Sequence, residues 1–125
     1  MSITIINYDS NKIIAKFSGE IDESNADYVR CQLDELIDSH NNLNIILDFS
    51  NLDFLDSTGI GILLGRYKKS KNKNINIIIK NPSKHVDSIL NTCGIYTIMQ
   101  KIGWGYIWKT NYLWELKHHW LMRVL

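Results

Sequence analysis

LNIILDFSNLDFLDSTGIGILLGRYKKSKNKNINIII, residues 43–79, decides the fold. It opens and closes with short continuous apolar runs, 43–49 and 75–79, the pattern of strands covered on both faces. Between them Ile60, Leu63, Leu64 and Tyr67 recur at i, i+3, i+4 and i+7. That spacing predicts a helix of about four turns, beginning near Ser57 and fading in Lys71-Asn72-Lys73-Asn74. A strand–helix–strand unit favours a parallel crossover of the usual right hand, so the two strands are expected at the centre of a sheet.

Toward the N-terminus, residues 3–8 and 12–17 are β-branched runs separated by Asp-Ser-Asn, which reads as a hairpin. After Gly19-Glu20-Ile21-Asp22, either Asp22 or Ser24 can cap a helix that buries Ala26, Val29, Leu33, Leu36 and Ile37. Its other face, with Asp27, Arg30, Asp34 and Asp38, should be wet. Toward the C-terminus, Pro82-Ser83 precedes a helix with Val86, Ile89, Leu90 and Cys93 on one face, and Gly94 stops it. Residues 95–98 are expected to add a short strand. The class is therefore α/β, a single domain over residues 1–100 with a mixed sheet and helices packed on it.

The length of 125 residues suits one core, and a composition of 45% hydrophobic and 22% charged residues is that of a folded chain. A net charge of +1 does not point to a polyanion as main partner. Cys31 and Cys93 are too few and too far apart for a metal site or a disulfide framework, and both are expected as small buried hydrophobes that react slowly with thiol reagents. No basic n-region opens the chain and no apolar stretch is long enough for a membrane span, so a reducing cytoplasm is the expected setting.

The densest chemical signal is the turn from strand to helix, Asp56-Ser57-Thr58-Gly59-Ile60-Gly61. Small polar residues and glycines there leave backbone N–H groups outward, and with the helix dipole they favour an anion such as phosphate. The same residues also serve as a plain N-cap with glycines that allow close helix–sheet packing. Neither nucleotide fingerprint fits: Leu64 stands where G-x-G-x-x-G needs glycine, and no glycine pair has the P-loop offset. His40, His85, His118 and His119 offer Ser57 no patterned base and are expected as surface imidazoles. An enzyme with Ser57 as nucleophile is thus the weakest of the possible functions.

Asp56-Ser57-Thr58-Gly59-Ile60-Gly61, followed by Leu64-Gly65-Arg66-Tyr67-Lys68 and preceded by Gly19-Glu20-Ile21-Asp22, resembles the STAS domain of bacterial anti-sigma factor antagonists. The Gly-Arg-Tyr-Lys ending is more similar to the sporulation branch, which antagonises the anti-sigma F factor, than to the stress-response branch. The resemblance runs from about Ile3 to about Met99. It implies a non-enzymatic switch without cofactor or metal, in which Ser57 falls on the serine phosphorylated by an anti-sigma factor with serine kinase activity and reset by a serine phosphatase. The unphosphorylated form would bind the anti-sigma factor and free the sigma factor. Asp22 falls on the acidic residue beside the phosphosite, and the partner contact is expected over Asp22, Asp56, Ser57, Thr58, Gly59 and Gly61. A STAS domain that binds a nucleotide or other small anionic ligand at the same helix start is the alternative.

Residues 101–125 depart from that family. All four tryptophans, Trp104, Trp108, Trp114 and Trp120, lie there in a basic setting. This tail reads as a helix packing on the domain, a partner-binding element or a shifted reading frame at the gene's end, and its deletion from residue 104 is expected to leave a folded, partner-binding domain. The run Arg66-Tyr67-Lys68-Lys69-Ser70-Lys71-Asn72-Lys73 reads as a solvated helix end, with no direct nucleic-acid or membrane partner expected.

Overall fold

The computed structural model describes residues 1–103. The tail and its four tryptophans, with His118 and His119, lie outside the described residues. Strands β1 (Ser2–Asp9) and β2 (Lys12–Ile21) form the expected hairpin, closed by the Asn11 N–H donating to Asp9 Oδ1 at 2.7 Å. A 3-10 turn, Glu23–Asn25, leads into α1 (Ala26–Asp38). Then follow β3 (Asn44–Leu55), α2 (Ser57–Lys71), β4 (Asn76–Lys80), α3 (Lys84–Thr92), a second 3-10 turn (Ile95–Thr97) and β5 (Gln100–Ile102). The sheet order is β1-β2-β3-β4-β5, antiparallel only between β1 and β2. The described residues thus form a single α/β domain with a five-stranded mixed sheet and three α-helices.

Alternation along the strands assigns the two faces. Ile13, Ala15 and Phe17 of β2, Ile45, Leu47 and Phe49 of β3, and Ile77 and Ile79 of β4 share one core with the apolar residues of α1, α2 and α3. Phe17 and Phe49 meet edge to face at its centre, ring centroids 5.2 Å apart. Burying such a ring contributes about 2–3 kcal/mol, so this layer holds the helices to the sheet. Ile46, Ile78 and Ile102 form a separate buried cluster on the opposite face, with Ile14 against it.

Two expectations are corrected. Residues 95–98 are not a strand: Gly94 takes a left-handed φ of 77°, and the Thr97 N–H and hydroxyl both donate to the Gly94 carbonyl, closing a 3-10 turn. Ile95 is buried but Ile98 is exposed, so the apolar run does not enter the sheet, and the last strand comes two residues later. A half-buried tyrosine anchors that ending. The Tyr96 hydroxyl donates to Asp87 of α3 at 2.6 Å, and desolvation, with this hydrogen bond second, pushes the phenol well above its ordinary range.

Both cysteines are exposed. Cys31 lies about 200° around α1 from buried Val29, outside the inward stripe. Cys93 has the spacing of the inward face of α3, but the helix ends at Thr92 and Cys93 is its C-cap. Both thiols are therefore expected to react with a disulfide reagent in the folded protein as fast as in urea. A lag until unfolding would contradict the exposure.

Candidate functional site

Strands β2 and β3 run in parallel beyond the apolar segments that define them in sequence, and their last paired residues are Ile21 and Leu55. The Asp56 N–H donates to the Ile21 carbonyl at 3.3 Å. The residue following each strand, Asp22 after one and Asp56 after the other, therefore emerges at the same edge of the sheet. Both have extended backbone and both cap a helical turn with their side chains. Asp22 accepts from the Ser24 N–H at 2.9 Å and from the Ser24 hydroxyl, while its own N–H donates to Asn25 Oδ1 at 3.1 Å. The Ser24 hydroxyl holds the Asp22 carboxyl below the usual carboxylate range, so it is charged at neutral pH. Ser24 thus serves the cap that sequence assigned to either residue.

Asp56 Oδ1 accepts from the Gly59 N–H at 3.1 Å, and the Ile60 N–H donates to the Asp56 carbonyl. Helix geometry leaves the N–H groups of Ser57 and Thr58 without an intrahelical acceptor. Ser57, the first residue of α2, is exposed, and Thr58 is half-buried. The positive end of the helix dipole and two free N–H groups thus stand beside an accessible hydroxyl, with two carboxylates on the flanking caps. Truncating the cap, Asp56→Ala, is expected to lower stability by about 1 kcal/mol in a urea melt. An unchanged midpoint would mean the Gly59 N–H finds another acceptor.

The glycines divide. A Cβ on Gly59 would lie 3.1 Å from Leu55 Cβ and Cδ1 and 3.3 Å from Ile21 Cγ2, so this buried glycine lets α2 sit against the strand ends. A Cβ on Gly61 or Gly65 would meet nothing within 4 Å. Ser57, Gly61 and Gly65 are spaced one turn apart, and exposed Leu64 adjoins them, 39% accessible. They make a low, partly apolar helix face on which another protein can lie close. Asp22, Asp56, Ser57, Thr58 and Gly61 therefore gather at one edge, while Gly59 contributes by packing.

Two features escaped the sequence. Phe54, 37% exposed near the end of β3, stacks on His85 of α3 with centroids 5.9 Å apart. Its one sequence signal was an aromatic residue among polar ones just before the helix. His40, expected on the surface, is half-buried with Nδ1 2.8 Å from the Leu36 carbonyl oxygen. Farther along α2, Arg66 reaches Asp34 of α1 at 3.0 Å and Lys69 reaches both Asp34 and Asp38. The Asp38 carboxylate, foremost, raises the Lys69 pKa. Part of the basic run is thereby engaged with a neighbouring helix. Among the described residues no acidic, histidine or cysteine cluster could hold a metal ion, and no helix is long and apolar enough to cross a membrane.

Known proteins share this architecture. The STAS domain profile matches residues 3–105. The anti-sigma F factor antagonist of Paenibacillus polymyxa is 37% identical over 87 residues, 70% of this chain and 74% of its own length. The anti-sigma factor antagonist SpoIIAA in its unphosphorylated form superposes with a TM-score of 0.68 at 24% identity, covering 81% of this chain and 88% of that one. The phosphorylated form of the Bacillus cell fate determinant SpoIIAA gives 0.62 at 22% identity, covering 81% and 91%.

Proposed function

Because the chain belongs to the STAS domain family, we propose that it is an anti-anti-sigma factor controlled by phosphorylation of Ser57. In its unphosphorylated form it binds an anti-sigma factor that is also a serine kinase, and this releases the sigma factor. A serine phosphatase restores the binding form. The observation that carries the proposal is the accessible Ser57 hydroxyl at the first position of α2, on a flat helix face and between the Asp22 and Asp56 caps. Dipole and free N–H groups suit a phosphate there without unfolding the domain. The name of the Paenibacillus relative and the Gly-Arg-Tyr-Lys ending favour the sporulation branch. The existence of SpoIIAA in phosphorylated and unphosphorylated forms accords with such a cycle.

The test is incubation of the protein with an anti-sigma factor kinase and ATP, followed by intact and peptide mass spectrometry. One phosphate confined to Ser57 is expected, and Ser57→Ala should gain none. Absence of phosphorylation, together with a higher melting temperature in the presence of a nucleotide, would instead favour a small-anion site at the same helix start.

A further inference from the structure

β1 ends the sheet order β1-β2-β3-β4-β5, and among the described residues it pairs only with β2. The N–H and C=O groups of alternate residues therefore point outward, a template for one more strand. Edge strands are ordinarily kept from such pairing by being short, by lysine or proline, or by a bulge. β5, at the other end of that order, is three residues long with Lys101 at its centre. β1 has eight residues, Ser2–Asp9, and no proline. Its one charged side chain, Asp9, and the irregularity in its pairing, at Asn7/Asp9, both fall at its end. Ser-Ile-Thr-Ile-Ile-Asn-Tyr, residues 2–8, is thus an uncharged edge rich in β-branched residues, with none of the usual protection.

Its side chains are as accessible as its backbone. Ile5 is 36%, Ile6 39% and Tyr8 63% exposed. Ile5 is the register partner of Ala15, so it stands on the helix-bearing face, yet the helices leave it uncovered. Ile6 pairs with Ile14 on the opposite face. The run is also complementary to itself. An antiparallel copy centred on Ile5 sets Ile5 against Ile5, Thr4 against Ile6, Ile3 against Asn7 and Ser2 against Tyr8, and it keeps both copies of Asp9 outside the paired run. We propose that the protein forms a two-fold dimer in which β1 pairs antiparallel with β1 of a second copy, joining two sheets into one. Each chain offers one such edge, so the pairing closes at two. Eight residues extend over about 27 Å, a narrow contact, and the dissociation constant is expected on the order of 10 μM. The dimer stands or falls independently of phosphorylation at Ser57.

Analytical ultracentrifugation of the full chain with both exposed thiols removed, Cys31→Ser and Cys93→Ser, is expected to show a reversible monomer–dimer equilibrium. Ile5→Lys places two ammonium groups against each other on the two-fold axis and should weaken the dimer at least about tenfold. Tyr28→Lys, on the exposed side of α1, should not. Cross-linking tests the register without relying on the lysine variant to fold. Ile5→Cys in the same background should give an intermolecular disulfide on mild oxidation, because residues directly opposite have Cα atoms about 4.5–5.5 Å apart. Asn7→Cys should not, since its two copies would stand about 13 Å apart along the strands. A protein that stays monomeric at about 1 mM would overturn the proposal. So would a dimer that Ile5→Lys does not weaken, growth beyond the dimer, or cross-linking through Asn7→Cys as efficient as through Ile5→Cys.

Discussion

Ser57→Asp is expected to fold normally and to bind the anti-sigma factor roughly a hundredfold more weakly than wild type, a loss of about 2.7 kcal/mol. The proposed phosphorylation of Ser57 would add a charge of about −1.5 to −2 at the same place. In the free protein the helix terminus accommodates it. In a complex centred on the face of Ser57, Gly61 and Leu64, the dianion must shed water and lie near the Asp22 and Asp56 carboxylates, so docking is opposed. Ser57→Ala keeps the face and removes the phosphate acceptor, and should bind constitutively with near wild-type affinity. Titration calorimetry with the partner decides between these outcomes. Equal affinities for wild type, Ser57→Ala and the phosphorylated form would reduce Ser57 to the first residue of a capped helix.

Gly59→Val should cause a large loss of stability. Its first added carbon already meets Leu55 and Ile21 at 3.1–3.3 Å, and valine adds two further carbons to that tight contact. Overpacking of this kind costs about 2–3 kcal/mol, enough to lower the melting temperature of a domain of this size by about 10 °C. Gly61→Ala is the matched control, because its Cβ enters open space. It should leave the protein as stable or up to about 1 kcal/mol more stable. Calorimetric melts of the two variants compare them directly, and equal melting temperatures would show that α2 does not rest on the strand ends through Gly59.

Residues 43–79 were legible because helix and strand periods differ there without ambiguity, and α2 runs from Ser57 to Lys71 as the spacing implied. The strand lengths were not. β3 continues from Phe49 through Ser50-Asn51-Leu52-Asp53-Phe54 to Leu55, a stretch whose polar residues break the apolar run, although Leu52 and Leu55 are buried in the core and β2 pairs along it across bulges. That unannounced extension brings Asp22 beside Asp56, an adjacency that the family resemblance implied and the residue pattern alone did not show. The cysteine error has a similar origin. Periodicity gives a phase only while the helix lasts, and α3 stops one residue short of Cys93.

The attachment of α2 has a further consequence. Its first turn is tied to β2 and β3 through the bond from Asp56 to Ile21 and the close seat of Gly59, and its last turns are clamped to α1 by Arg66 and Lys69. A helix braced at both ends is poorly suited to transmit a signal by sliding or tilting. Under the proposed cycle, covalent change at Ser57 would therefore be read by touch: the information would sit on the surface as a sign of charge, and a partner would discriminate the two forms while the domain beneath stays the same.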